Sequence, residues 1–488
     1  MVFDYLSYFD NSFNYLLPES FLAITLFALL FFRSTSLNAK LASWILVLTS
    51  LLIVNTPYTS AVTLNGMLNL SYFTVSIQLI AVLSSLAILI LALLYTSLES
   101  FDVPELSVLM LLALLGILLL VSSNDFLMVY LAIELQSLAF YILAALKRDS
   151  LYSVEAGLKY FILGALSSGI LLFGIALIYG LTGSTDFNIL LLTLQGLYFT
   201  DSILGEFHTV GVLLGLVFVL VSLLFKLAAA PFHMWAPDVY EGSPMIVTAF
   251  FAIVPKIAVF GLLIQILFGT FFEFLPHWQT LLIFSAFTSM ILGAFGAIQQ
   301  LKIKRFLAYS AIGHVGYLLV GLSAASIDGL QAVLLYLLLY IVMSISIFAI
   351  TIPFYGTQSS FKYIAQLKGL AHHHPLLAIS FALTLFSMAG IPPLSGFLSK
   401  WLIFSSALSS SLVFLAIVGV LTSVIGAYYY IRFSVFMFFT RPDSTFSTIQ
   451  ISSPVAYLIA SSLLITTLTL FNPSALLMLS HNLTISFC

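Results

Sequence analysis

Lys226-Leu227-Ala228-Ala229-Ala230-Pro231-Phe232-His233-Met234-Trp235-Ala236-Pro237-Asp238-Val239-Tyr240-Glu241 is the stretch that decides how this chain folds. It begins inside an apolar run, Val210 to Ala230, whose one charge is Lys226. A lysine at mid-bilayer depth costs roughly 2.5–3.5 kcal/mol on insertion scales, so its presence asks for a reason. Pro231 follows and removes a backbone donor, which kinks or breaks a helix. Inside a membrane such a break is tolerated only where protein or a water-lined cavity satisfies the freed backbone groups. An amine, a helix break and an aromatic-rich polar exit together point to an ion or proton path. The alternative reading of Lys226 is a lysine that snorkels to the surface.

The surrounding composition sets the class. Of 488 residues, 62% are hydrophobic and 7% charged, against about 25% charged in a soluble domain. The chain therefore reads as a polytopic membrane protein. A formal net charge of -3 and the lack of a basic tail leave nucleic-acid binding without an electrostatic basis. The single cysteine, Cys488, excludes a disulfide framework or an iron–sulfur site within the chain. The eight histidines show no metal-site spacing, and His372, His373 and His374, just before Pro375, read as a solvated loop cluster. Met1 to Phe13 is acidic and aromatic, so no cleavable targeting segment is expected.

With ~20 apolar residues per crossing as the yardstick, about 14 spans are expected. They run from Ser12–Phe32 to Ala456–Leu470, with a short second span (Leu41–Val54) and a long, interrupted twelfth (Leu376–Ser406). Gly183–Thr209 is the longest polar connection and is too short for a soluble domain. Lysines and arginines then give the orientation. Arg33, Lys40, Lys147, Arg148, Lys302, Lys304, Arg305, Lys362, Lys368, Arg432 and Arg441 all fall on one side. The opposite loops hold Asp125, Asp186, Asp201, Glu206, Glu273 and Asp328, without a lysine or arginine. This is the positive-inside pattern, and it places both termini outward.

Four basic residues are left over inside spans: Lys159, Lys226, Lys256 and Lys400, together with one deep acid, Glu134. Intramembrane ionisable residues are functional-site candidates by default. Span twelve repeats the features of span seven: Ser387-Met388-Ala389-Gly390-Ile391-Pro392-Pro393-Leu394-Ser395-Gly396-Phe397-Leu398-Ser399-Lys400-Trp401 combines mid-helix prolines with one lysine. Lys226 and Lys400 are 174 apart, and Glu134 and His314 are 180 apart. Spans four to eight and nine to thirteen thus read as two five-helix repeats, inverted because five is odd, with helices seven and twelve broken. The expected divisions are a three-helix segment at 1–105, the two units at 106–270 and 271–440, and a C-terminal helix and tail at 441–488. Glu134 paired with a lysine would hold that lysine's proton, and weakening the pair would pass it on. Lys159 is placed to neighbour Glu134 and Lys226, or to snorkel to the surface. Lys256, after Pro255, links Lys226 to His314 and Lys400. His314 titrates near neutral pH and can relay protons, or can simply donate to a backbone carbonyl. Asp238 and Glu241 shape the inner exit or contact a partner. The phenylalanines and tyrosines read as packing or lipid-facing residues.

Lys226–Glu241, the following Gly242-Ser243-Pro244-Met245-Ile246-Val247-Thr248-Ala249-Phe250, and Gly390–Trp401 closely resemble the subunit 2 family of the proton-pumping NADH:ubiquinone oxidoreductase, respiratory complex I. The similarity is to the mitochondrial branch, covers about residues 100 to 440, and reaches the first hundred only in hydropathy. It implies an antiporter-like membrane subunit with 14 helices, in the mitochondrial inner membrane of a plant, alga or protist. It also implies proton-carrying roles for Glu134, Lys159, Lys226, Lys256, His314 and Lys400. NADH, FMN, iron–sulfur clusters and ubiquinone would bind other subunits, leaving no cofactor in this chain. The larger members of the family carry a long lateral helix, and this chain ends without one, so neighbouring antiporter-like subunits and their lateral helix are the expected partners, with membrane lipid. The rival readings are a subunit of a multisubunit cation/proton antiporter, and a structural spacer with static charge pairs.

Overall fold

In a computed structural model of the chain, residues 15–32, 34–56, 61–64, 66–99, 103–198, 203–356, 362–440 and 451–487 are described. The protein is a mostly helical bundle with many crossings: eleven helices among the described residues are long and apolar enough to span a bilayer. In chain order the helices are α1 (Leu17–Leu29), α2 (Thr35–Asn55), α3 (Tyr72–Glu99), α4 (Glu105–Ser122), α5 (Phe126–Ala144), α6 (Leu151–Thr182), α7 (Phe187–Tyr198), α8 (Ile203–Leu227), α9 (Trp235–Gly242), α10 (Met245–Ile264), α11 (Leu275–Ile298), α12 (Ile303–Ser323) and α13 (Ile327–Thr351). After a single turn at Leu370–His373 come α14 (Pro375–Ala389), α15 (Ser395–Ser409), α16 (Val413–Phe438), α17 (Ser453–Phe471) and α18 (Ser474–Phe487). One small hairpin, Ala61–Thr63 against Leu68–Leu70, pairs antiparallel with Ala61 opposite Leu70.

Two expectations about the elements are corrected, and a bend is added near the C-terminus. The second span is not short, because the polar residues from Thr35 onward continue the helix and α2 runs 21 residues. The Gly183–Thr209 connection is not simply polar, since it folds the apolar helix α7, with Leu190 and Leu194 buried. The last apolar stretch is bent by 88° between α17 and α18, at Asn472-Pro473, where proline ends a helix and constrains the residue before it.

The centre of the bundle is α10, every one of whose twenty residues is buried. A helix apolar on all sides belongs in such a place. Pro255 sits inside it without ending it, and beside the missing donor the Ala252 carbonyl accepts a hydrogen bond from the Tyr340 hydroxyl (3.2 Å). By contrast α2, α6 and α16 turn apolar side chains outward, among them Trp44, Ile162 and Val424. Those faces suit lipid or neighbouring apolar helices.

The charge asymmetry has a structural counterpart. Lys147 pairs with Glu99 (2.9 Å), Lys302 bridges to Tyr363, and Arg432 donates to the Ile298 carbonyl (3.2 Å), so these basic segments share one end. Asp125 bridges to Asp186 and accepts from Thr185 (3.0 Å) at the other. Arg33, Asp201, Arg441 and Cys488 lie outside the described residues.

Candidate functional site

The first break is built from the sequence that announced it. Lys226 is in the last turn of α8, and Ala228 adopts a left-handed conformation (φ 58°). The backbone groups released by the break find partners. The Phe225 carbonyl accepts from Ala228 N–H (3.0 Å) and from the Trp235 indole (2.9 Å). The Ala230 carbonyl accepts from Thr288 on α11 (2.9 Å). Lys226 thus sits at the negative end of the α8 dipole.

The second break, between α14 and α15, closes on the same pattern as the first, where Ala229 N–H also bonds Leu224 O (3.0 Å). Gly390 is left-handed (φ 84°); its N–H bonds Ser387 O (3.0 Å) and the next N–H, from Ile391, bonds Phe386 O (3.1 Å). This is a Schellman closure, which favours glycine. Lys400 then reaches back from α15 to donate to the Ala389 carbonyl (2.8 Å). A side chain on Gly390 would meet Lys400 Nζ at 3.2 Å. Ser387 stitches the halves together: its hydroxyl accepts from Gly396 N–H (3.2 Å) and bonds Ser395 (3.1 Å). The left-handed residues Ala228 and Gly390 are 162 apart, whereas the lysines are 174 apart, so Lys226 precedes its break and Lys400 follows its own. Each nevertheless sits against the C-terminal end of a half-helix.

Between the breaks runs a buried line of amines, hydroxyls and an imidazole. Lys256 (4% exposed) donates to Tyr340 Oη (2.9 Å) and lies 4.9 Å from that ring's centroid. Tyr340 packs against His314 (5.4 Å between centroids). His314 (3% exposed) is held on both sides, Nδ1 by Tyr336 Oη (2.6 Å) and Nε2 by Tyr430 Oη (3.2 Å). A neutral imidazole donates from one nitrogen and accepts at the other, so the two hydroxyls take opposite roles. Lys400 (7% exposed) sits 5.0 Å from the Tyr317 ring centroid, and Tyr317 packs on both His314 and Tyr336. Two cavities of about 10 Å³ interrupt the line, one bordered by Lys226 and Lys256 and one by His314 and Lys400. That volume is at the threshold for one water.

A family profile described as NADH:quinone oxidoreductase/Mrp antiporter, TM, matches residues 123–426, which include both breaks. The NADH-ubiquinone oxidoreductase chain 2 of Marchantia polymorpha is 42% identical over 494 residues, covering 98% of this chain and 100% of that one. The chain belongs to this family. Subunit N of the NADH-quinone oxidoreductase of Pelagibacter ubique is 41% identical over 90% of this chain and 92% of its own. A chain of respiratory complex I from Thermus thermophilus, solved with bound aureothin, superposes with a TM-score of 0.78 at 29% identity, covering 94% of this chain and 98% of that one. The alignment with the Marchantia chain extends through most of the first hundred residues.

In this member of the family two of the expected site residues stand apart from the line. Lys159 does not neighbour Lys226 or pair with Glu134; it is half exposed and pairs with Glu155 (2.7 Å) and Asp238 (3.0 Å). The cause is the return of α9 onto α6, where Trp235 stacks on Tyr160 (4.6 Å, 8°) and carries Asp238 to the lysine. Asp238 also binds Arg305 (2.9 Å), and Glu241 binds Arg305 (3.2 Å) and Lys302. Asp238 and Glu241 therefore tie α9 to the start of α12. The hydrogen bond from Lys302 to Glu241 raises that ammonium above the ordinary lysine range, so Lys302 stays charged at neutral pH. Glu134 is half buried with no lysine or arginine within salt-bridge distance among the described residues, and reaches Lys226 only through its field.

Other groups went unread in the sequence. Tyr317, Tyr336, Tyr340 and Tyr430 join the line, which corrects the reading of the tyrosines as packing or lipid-facing only. Tyr336 and Tyr340 are four residues apart, hence on one helical face, and that spacing was the available signal. Glu19, near the start of α1, is a second buried acid, held by Gln78 Nε2 (2.9 Å), which corrects the reading of Glu134 as the one deep acid. Among the described residues no group of three or more His, Cys, Asp and Glu is arranged to hold a metal ion.

Proposed function

We infer that this chain is the subunit 2 component of the membrane arm of a proton-pumping NADH:ubiquinone oxidoreductase, and that it moves protons along Lys226, Lys256, His314 and Lys400. The observation that carries the reading is the buried line itself: four basic groups, linked by tyrosine hydroxyls and two water-sized cavities, between two helix breaks. Each amine can take a proton from one neighbour and give it to the next. Moving one charge against the field costs about 2.3 kcal/mol per 100 mV, so the driving energy comes from NADH oxidation and quinone reduction in other subunits. Lys159 and Glu134 act at the edges, Lys159 in the ionic clamp at the inner end and Glu134 by biasing Lys226. The basic character of the line favours protons over sodium, because a metal cation between lysines meets repulsion without acidic ligands.

Counting α1, the broken α14–α15 and the bent α17–α18 as one crossing each brings eleven spans to fourteen. The two breaks support two inverted five-helix units at 106–270 and 271–440. In this reading the basic end faces the mitochondrial matrix, both termini face the intermembrane space, and neighbouring antiporter-like subunits with their lateral helix cover the apolar outer faces.

The test is proton pumping per NADH oxidised in vesicles containing the complex with Lys226→Ala. Pumping and quinone reductase activity are expected to fall together with assembly intact. Normal stoichiometry in an assembled complex would make Lys226 a structural charge. Tyr340→Phe is expected to lower turnover around tenfold, equivalent to about 1.4 kcal/mol, because Lys256 loses the hydroxyl that accepts from it. Unchanged steady-state NADH:quinone turnover in that variant would remove the hydroxyl from the path.

A further inference from the structure

Helix α5 carries Glu134 and Gln136, and the expected one is not the one that reaches the Lys226 cavity. Glu134 and Gln136 are two residues apart, about 200° around a helix, and it is Gln136 that borders the cavity with Lys226 and Lys256. Gln136 is 5% exposed. Its Oε1 is buried with no hydrogen-bond partner in the described structure, and so is Lys226 Nζ. One is an acceptor and the other a donor. Buried polar atoms are rarely left unpaired, and a cavity at the threshold of one water borders both.

We propose that Gln136 is a positioning residue of the proton path: one water held between Gln136 Oε1 and Lys226 Nζ carries the proton from Lys226 to Lys256. The water takes a proton from the Lys226 ammonium as it gives another to the Lys256 amine. Lys226 ends neutral, Lys256 ends cationic, and water and amide are unchanged. Gln136 fixes the water by accepting its other hydrogen. The proposal rests on the proton-carrying reading of Lys226. The titratable groups that face Lys226 are Lys256 from α10, Tyr160 from α6, Tyr240 from α9 and, through its field, Glu134 from α5. From α7 and α11, which also pack on α8, none borders the cavity.

The test uses the whole complex in vesicles with Gln136→Leu, Gln136→Glu and Lys226→Ala, each checked for assembly. Gln136→Leu removes the acceptor that holds the water against the ammonium. Turnover is expected to fall about tenfold, with the alkaline limb of the activity profile moved to lower pH by roughly one unit. Gln136→Glu keeps the size and adds a carboxylate that holds the Lys226 proton, so the same limb moves to higher pH. Opposite displacements support the proposal. Equal losses with no displacement would reduce Gln136 to packing and overturn it, as would wild-type profiles in both. If Gln136→Leu fails to assemble, the near-isosteric Gln136→Glu decides by the direction of its limb. Lys226→Ala separates the two claims: lost pumping there with unmoved Gln136 profiles sinks only the water bridge, whereas normal pumping in Lys226→Ala sinks the proton path itself.

Discussion

Lys256→Met is expected to abolish proton pumping and to lower quinone reductase activity a hundredfold or more in an assembled complex, a loss of about 2.7 kcal/mol or above. Methionine fills a similar volume among the fully buried residues of α10, so packing is conserved within the usual tolerance for such exchanges. Among the described residues, the exchange removes the one amine that links the two cavities. Lys226 borders the first cavity and His314 the second, and Lys256 with Tyr340 spans the interval. Without it the interval keeps hydroxyls but no group that carries the charge, and a bare charge is costly to move there. The measurement is pumping per NADH alongside the amount of intact complex. Full pumping with intact assembly would show that protons do not pass the centre of this chain.

Gly396→Ala is expected to act on assembly before it acts on transport. A Cβ at this position would stand 1.7 Å from the Ser387 carbonyl oxygen, which is backbone and cannot swing aside as a side chain does. Overpacking of a buried site ordinarily costs about 1–3 kcal/mol, and here the overlap also pushes apart the two halves that Ser387 joins. Complex containing this chain should fall severalfold in the membrane, read by native gel, while the remaining assembled fraction keeps a displaced Lys400. A normal amount of complex with normal turnover would mean that α14 and α15 tolerate separation.

The breaks and three of the four line residues were legible because the membrane makes charge and proline expensive: Lys226, Lys256 and Lys400 stand out of an apolar background, and so do Pro231, Pro392 and Pro393. His314 was legible by its chemistry alone. The connecting hydroxyls were not, because 23 tyrosines in an aromatic-rich chain look alike until their partners are known. Glu134 misled for a geometric reason: a carboxylate in mid-span invites pairing with the nearest lysine, but the face of α5 that reaches Lys226 belongs to Gln136. Lys159 misled because no local pattern says that α9 folds back on α6 and brings Asp238 up to it.

Tyr336 and Tyr340 both belong to α13, and each makes a different junction: one hydroxyl meets His314, the other meets Lys256. A shift or small rotation of that one helix withdraws both hydroxyls together. In the proposed path the middle section, from Lys256 to His314, therefore works as one clutch rather than as two separate valves.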